Sequence, residues 1–95
     1  MKLETFTCVD ASTGHITKKD NELLKRTDLP GISLYEYEYG YFVYLSEDET
    51  KESITSVGLS ADFTFLYLKA RETGAKFLTL DCDGTVYPDL PQHNW

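Results

Sequence analysis

The sequence predicts an α+β fold: a ferredoxin-like split β-α-β sandwich in the order βαββαβ, with a short C-terminal hairpin strand, formed by residues 1–95 as a single domain. Three observations predict it. Aromatic and acidic side chains alternate with period two through Leu34-Tyr35-Glu36-Tyr37-Glu38-Tyr39, as a strand with two different faces requires. Phe63, Leu66, Tyr67 and Ala70 recur at i, i+3, i+4 and i+7, the stripe of a core-facing helix. Strand and helix signals follow one another so that two helices can lie on one face of an antiparallel sheet through right-handed crossovers.

Leu3 to Val9 is rich in β-formers, alternates, and stops at Asp10, so it reads as the first strand. Thr17 is placed to cap a helix from Lys18 to about Arg26, with Asp20 at the third helical position reaching back to the cap. That helix buries Leu23 and Leu24, and Pro30-Gly31 ends the connection.

Ile32 to Leu45 reads as a hairpin reversing at Tyr39-Gly40. Tyr35 is then opposite Tyr44 and Tyr37 opposite Phe42 on one surface, and Glu36 and Glu38 share the other with Tyr41 and Val43. The expectation is that the aromatic surface is core and the glutamates face water. Ser46 to Leu59, with the run Glu47-Asp48-Glu49, reads as a solvated loop.

Ser60 caps the next helix, Asp62 suits the positive end of its dipole, and Gly74 ends it. Phe65 and Leu68 widen its apolar arc. Lys76 to Cys82 form the last long strand. Asp83-Gly84 is a two-residue hairpin signal, with Thr85 to Tyr87 returning until Pro88 stops them. The first and last long strands are expected side by side, bringing Cys8 near Cys82. Trp95 is expected to close one end of the core.

Composition excludes several classes of function. At 95 residues there is material for one modest core, and 41% hydrophobic with 14% aromatic residues favours a folded chain. Sixteen acidic against nine basic side chains give a formal charge of -7, a field that repels nucleic acid and anionic membrane and attracts basic protein surfaces. No apolar run follows Lys2, no segment has the length of a membrane span, and two cysteines make no disulfide framework, so a cytoplasmic location with reduced thiols is expected. Cys8, His15, Cys82 and His93 lack the close spacing of a zinc knuckle. No metal or other cofactor is expected; the cysteines read as small buried thiols and the histidines as surface or capping residues.

The strand Phe77 to Leu80 running into Asp81-Cys82-Asp83-Gly84-Thr85 resembles the first motif of the haloacid-dehalogenase phosphohydrolases. That resemblance implies a nucleophilic first Asp and an acid/base second Asp. The Ser/Thr and Lys that would hold the phosphoryl group come later in such enzymes, and nothing from Tyr87 to Trp95 supplies them. A turn accounts for the same residues. A divalent-ion loop of Asp81, Asp83 and Asp89 lacks its bidentate Glu, because Gln92 stands there. His15, between hydroxyl residues, has no nucleophile elbow beside it, and Ser12, Thr13 and Thr17 read as turn and cap residues.

Ser12-Thr13-Gly14-His15-Ile16-Thr17, Tyr39-Gly40-Tyr41-Phe42-Val43-Tyr44, Gly58-Leu59-Ser60, Asp81-Cys82-Asp83-Gly84 and the ending Leu90-Pro91-Gln92-His93-Asn94-Trp95 together resemble an uncharacterised family of short proteins labelled only as a domain of unknown function. The resemblance implies a setting in bacterial mobile elements, prophages and plasmids, among antirestriction and toxin-antitoxin genes. It implies no catalytic residue.

The functional expectation is therefore a small acidic, non-enzymatic protein-binding factor, an inhibitor of a host defence nuclease or CRISPR effector. Glu36, Glu38, Glu47, Asp48, Glu49 and Glu52 would face the partner's basic, nucleic-acid-processing surface, with no direct contact to nucleic acid or membrane. One alternative is an antitoxin-like or regulatory partner docking through Tyr35, Tyr37 and Tyr44 of the aromatic hairpin. Another is a Mg²⁺-dependent phosphohydrolase centred on Asp81 and Asp83.

Overall fold

The computed structural model describes residues Met1–Trp95 and confirms the α+β class. Strand β1 (Cys8–Ser12) leads through a 3-10 turn at Thr13–His15 into α1 (Lys18–Leu24). The hairpin β2 (Leu34–Tyr37) and β3 (Gly40–Tyr44) follows, then α2 (Lys51–Ser56), α3 (Ala61–Glu72) and β4 (Phe77–Asp81).

The sheet order is β1-β4-β3-β2, with β1 parallel to β4 and the other neighbours antiparallel. This differs from the ferredoxin-like order, in which the first strand lies inside an all-antiparallel sheet. Here β4 takes the inner place. Its Leu78 and Leu80 are fully buried, whereas β1 carries Asp10 and Ser12 and is the better edge. The first and last strands are neighbours as expected. Because they are parallel, Cys8 lies opposite Phe77, and Cys82 is on the order of 16 Å further along at about 3.3 Å per residue.

The first strand begins later than its sequence pattern predicts. Leu3 to Thr7 are exposed and outside any strand; Cys8–Ser12 pair instead, setting Val9 opposite Leu78 and Ala11 opposite Leu80. Asp10 hid this strand from sequence patterning: it stands on the open face, where it accepts from the Thr79 hydroxyl at 2.9 Å and from the Thr85 backbone and hydroxyl at 3.0 and 2.8 Å.

Both predicted helices form with the predicted caps. Thr17 and Asp20 make a reciprocal capping box at 3.0 Å in each direction, and Leu24 is fully buried. Ser60 accepts from the Phe63 amide, and Phe63, Leu66, Tyr67 and Ala70 are all buried. Phe65 is the exception, on the solvent side of α3.

The segment read as a loop contains α2. Thr50 and Ser53 cap it reciprocally, and fully buried Ile54 anchors it. Serine in place of the usual Glu at the third helical position made this box faint in the sequence.

The hairpin separates its two faces as predicted but puts the other one inside. Its loop is Glu38-Tyr39, so Tyr37 pairs with Gly40 and Tyr35 with Phe42 rather than with Tyr44. Leu34, Tyr41 and Val43 point toward the helices with Leu78 and Leu80, and all five are buried. Tyr35, Phe42 and Tyr44 are left on the uncovered face. Aliphatic β4 decides this, because its Leu78 and Leu80 line up with Val43 and Tyr41 and fix which side the helices cover.

The C-terminal hairpin strand does not form. The turn is centred on Cys82-Asp83, with the Gly84 amide donating to the Asp81 carbonyl at 2.9 Å. Gly84 lacks the positive φ that a type I′ turn would demand. Its hydrogen side chain is required for another reason: a Cβ there would sit 2.4 Å from the Ala11 carbonyl oxygen. The chain crosses to the outer edge of β1, where the Ser12 amide donates to Thr85 at 2.8 Å. The tail then wraps the 3-10 turn, with the His93 amide bonded to Gly14 at 2.7 Å and the Trp95 indole N–H donating to Ile16 at 2.9 Å. Trp95 is tied down in this way but stays half exposed, so it flanks the core rather than closing it.

Candidate docking surface

All three α-helices pack on one side of the sheet, so period-two alternation leaves the other side open. Its outward positions are Cys8, Asp10 and Ser12 on β1, Phe77, Thr79 and Asp81 on β4, Gly40, Phe42 and Tyr44 on β3, and Tyr35 and Tyr37 on β2. Tyr35 is 71% exposed, Phe42 43% and Tyr44 39%. The rings stack across strands, Tyr37 on Phe42 at 4.9 Å between centroids and Tyr44 edge-on to Phe77 at 5.7 Å. Asp10 and Asp81 are the charged groups on these positions, and no Lys or Arg occupies them.

These carboxylates are held in place. Asp81 accepts from the Tyr37 hydroxyl at 2.5 Å and from the Asp83 amide at 2.7 Å. The Tyr37 hydroxyl is correspondingly pushed up to about 12, by desolvation first and then by the Asp81 hydrogen bond and charge. The Thr85 and Thr79 hydroxyls hold the Asp10 carboxyl below its ordinary value.

The six acidic residues expected to form one patch are divided. Glu36 and Glu38 lie at the turn end of the hairpin, while Glu47, Asp48, Glu49 and Glu52 follow the opposite end of β3. Two of the second group are engaged. Glu47 lies 3.9 Å from Arg71, and Glu49 accepts from Ser53 at 2.9 Å. Arg71 also donates to the Ser46 and Glu49 carbonyls at 2.8 and 2.7 Å, pinning the loop to α3. Glu36 shares the helix-covered face with Tyr41 but stands beyond the helices, exposed.

The side-chain donors of Asp81, Cys82 and Asp83 come within 4.8 Å of one another. Each Asp81 oxygen takes one hydrogen bond, from the Tyr37 hydroxyl and from the Asp83 amide, while the Asp83 carboxylate makes none. Cys8 and Cys82 are both exposed, against the expectation of buried thiols. The Cys82 thiol is pushed up by desolvation and by the neighbouring Asp83 and Asp81 charges, the opposite of nucleophile activation.

His15 is fully enclosed. Its Nε2 accepts from the Tyr87 amide at 2.8 Å, leaving Nδ1 to donate to the Pro91 carbonyl at 2.8 Å. The ring is therefore a clasp for the C-terminal tail. His93 sits 2.7 Å from the Asp62 carboxylate beside the first turn of α3, whose cap is Ser60, so it ties the tail to the helix rather than capping it.

A four-stranded sheet with helices on one face and an aromatic, carboxylate-bearing opposite face defines a small α+β module with an uncovered sheet surface. The chain belongs to the DUF5983 family of unknown function, whose C-terminal domain model matches residues 8–95. No curated protein and no solved structure matches the chain significantly. No helix is long and apolar enough to cross a membrane.

Proposed function

We propose that this protein is a non-enzymatic binding factor that docks another protein on the open face of its sheet. The exposure of Tyr35, Phe42 and Tyr44 on a face that no helix covers carries this reading. Rigid, stacked tyrosine and phenylalanine rings bury large areas at low entropic cost, and such residues dominate binding energy in interfaces.

Charge specifies the partner further. A face bearing Asp10 and Asp81 without a cation, on a chain of net charge -7, complements a surface that combines apolar groups with Lys and Arg. Lys/Arg-lined channels of nucleic-acid-processing proteins have this chemistry. An anti-defence factor of a mobile element, aimed at a host nuclease or CRISPR effector, is the biological form of this reading that the sequence resemblance favours. The aromatic face supplies affinity, and the acidic field supplies encounter rate and selectivity.

The test is capture from the native host with the wild-type chain and with Tyr35→Ser/Phe42→Ser, both confirmed as folded by circular dichroism. The expected result is a basic protein retained at low salt, released by a salt step, and lost with the double variant. Identical capture by both chains, or retention indifferent to salt, overturns the proposal.

A further inference from the structure

At the turn end of the hairpin a cleft of about 250 Å³ opens beside α1, with Asn21 and Lys25 in its wall. The rings of Tyr39, Tyr41 and Trp95 line it together with Glu36 and Glu38, and Tyr37 joins them at the edge, its own ring lying on the open face against Phe42. Two of the three rings are held by hydrogen bonds. The Tyr41 hydroxyl donates to the Asn21 side-chain oxygen at 2.7 Å, and the Trp95 indole N–H to the Ile16 carbonyl at 2.9 Å. Neither Glu36 nor Glu38 has an ion-pair partner or a side-chain hydrogen bond, although Lys25 also lines the cleft. The Glu36 charge is felt by the cleft wall. The Tyr41 hydroxyl is pushed up to about 12, by burial first and then by Glu36.

Fixed aromatic walls with unpaired carboxylates attract one kind of guest. We propose that this cleft receives an arginine side chain of the partner protein; this rests on the docking reading above and adds a second point of contact to it. A planar guanidinium stacks on aromatic faces, is weakly hydrated, and matches carboxylates through paired N–H donors. An ammonium is more strongly hydrated and lacks the flat face, so arginine is favoured over lysine. Lys25 opposes the guest by like charge and sets the sign of one control.

Trp95 is the single tryptophan of the chain, so its fluorescence reports on this cleft. The probe is N-acetyl-arginine methylamide, and the uncharged citrulline analogue of the same shape is the control. The arginine probe should change Trp95 emission saturably, with a dissociation constant on the order of millimolar for so small a ligand. Glu36→Gln/Glu38→Gln should weaken binding about fivefold or more, and Lys25→Gln should strengthen it about twofold. All three substitutions are at exposed positions, so folding is preserved. A non-saturating response, an equal response to citrulline, or an unchanged constant in the double Gln variant overturns the cleft assignment. If that happens while partner capture still depends on Tyr35 and Phe42, only the cleft falls. Loss of that dependence is what removes the docking reading itself.

Discussion

Asp20 in α1 accepts the backbone N–H of Ser60, the cap residue of α3, at 2.8 Å. The same carboxylate takes the Ser60 hydroxyl at 2.5 Å and the Thr17 amide at 3.0 Å, so one buried side chain closes the N-termini of two helices forty residues apart in sequence. Both helix dipoles present their positive ends to it, which is why a carboxylate is tolerated at 1% exposure.

Replacing Asp20 by Ala should therefore cost more than a single lost cap, about 3 kcal/mol, because amides of both helices lose their acceptor. Urea denaturation checks this as a lowered midpoint at an unchanged slope. Asp20→Asn should recover part of the loss, since an amide oxygen still accepts but without charge.

The His15 clasp gives a local prediction. In His15→Leu the Tyr87 amide and Pro91 carbonyl lose their partners at a destabilisation of about 2 kcal/mol. Hydrogen exchange should show Tyr87 and His93 amides exchanging faster while those of β3 and β4 stay protected. Uniformly faster exchange would mean that the ring supports the whole core rather than the tail.

Alkaline pH should unfold the protein in a defined window. Tyr37 and Tyr41 are pushed up to about 12 from an ordinary value near 10, and burial raises Tyr67 in the same direction. For a group whose pKa is higher folded than unfolded, the stabilisation is complete below the unfolded value and is lost as pH rises through the folded one. Stability should thus hold to about pH 10 and fall between about pH 10 and 12. Circular dichroism followed against pH checks this, and ionisation of Tyr37, Tyr41 and Tyr67, read by phenolate absorbance, should coincide with the loss of structure.

Two glycines make a contrasting pair. Gly84→Ala drives a methyl against the Ala11 carbonyl and should cost about 2–3 kcal/mol, freeing the Ser12 amide from Thr85. Gly74 has φ +86 and no atom within 4 Å of a built Cβ, so Gly74→Ala meets only the left-handed backbone penalty of about 1 kcal/mol. Paired thermal melts of the two variants read the difference directly.

Local signals were legible wherever a pattern closes within a few residues. The Thr17/Asp20 capping box, the Ser60 cap and the Phe63-Leu66-Tyr67-Ala70 stripe all form as their spacing requires. The candidate surface was legible only as a set of residues. Tyr35, Tyr37, Phe42 and Tyr44 share a face, as their alternation states, but alternation is silent about which face is covered. The acidic residues of the hairpin and of the Glu47 loop could not be joined or separated without knowing which end of β3 each adjoins. Asp20's second role and His15's two bonds are contacts across forty and more than seventy residues, and no short window contains them.

By itself, then, the amino-acid order determined the α+β class, the two main helices, a chain reversal after the last strand and the negative field, because capping, periodicity and charge act over a few residues or over the whole composition. The tertiary structure alone decided that β4 rather than β1 takes the inner place beside β3 and that the aromatic side of the hairpin is the open one. Strand order and burial depend on which distant apolar surfaces meet, and here Leu78 and Leu80 choose Tyr41 and Val43 for the interior.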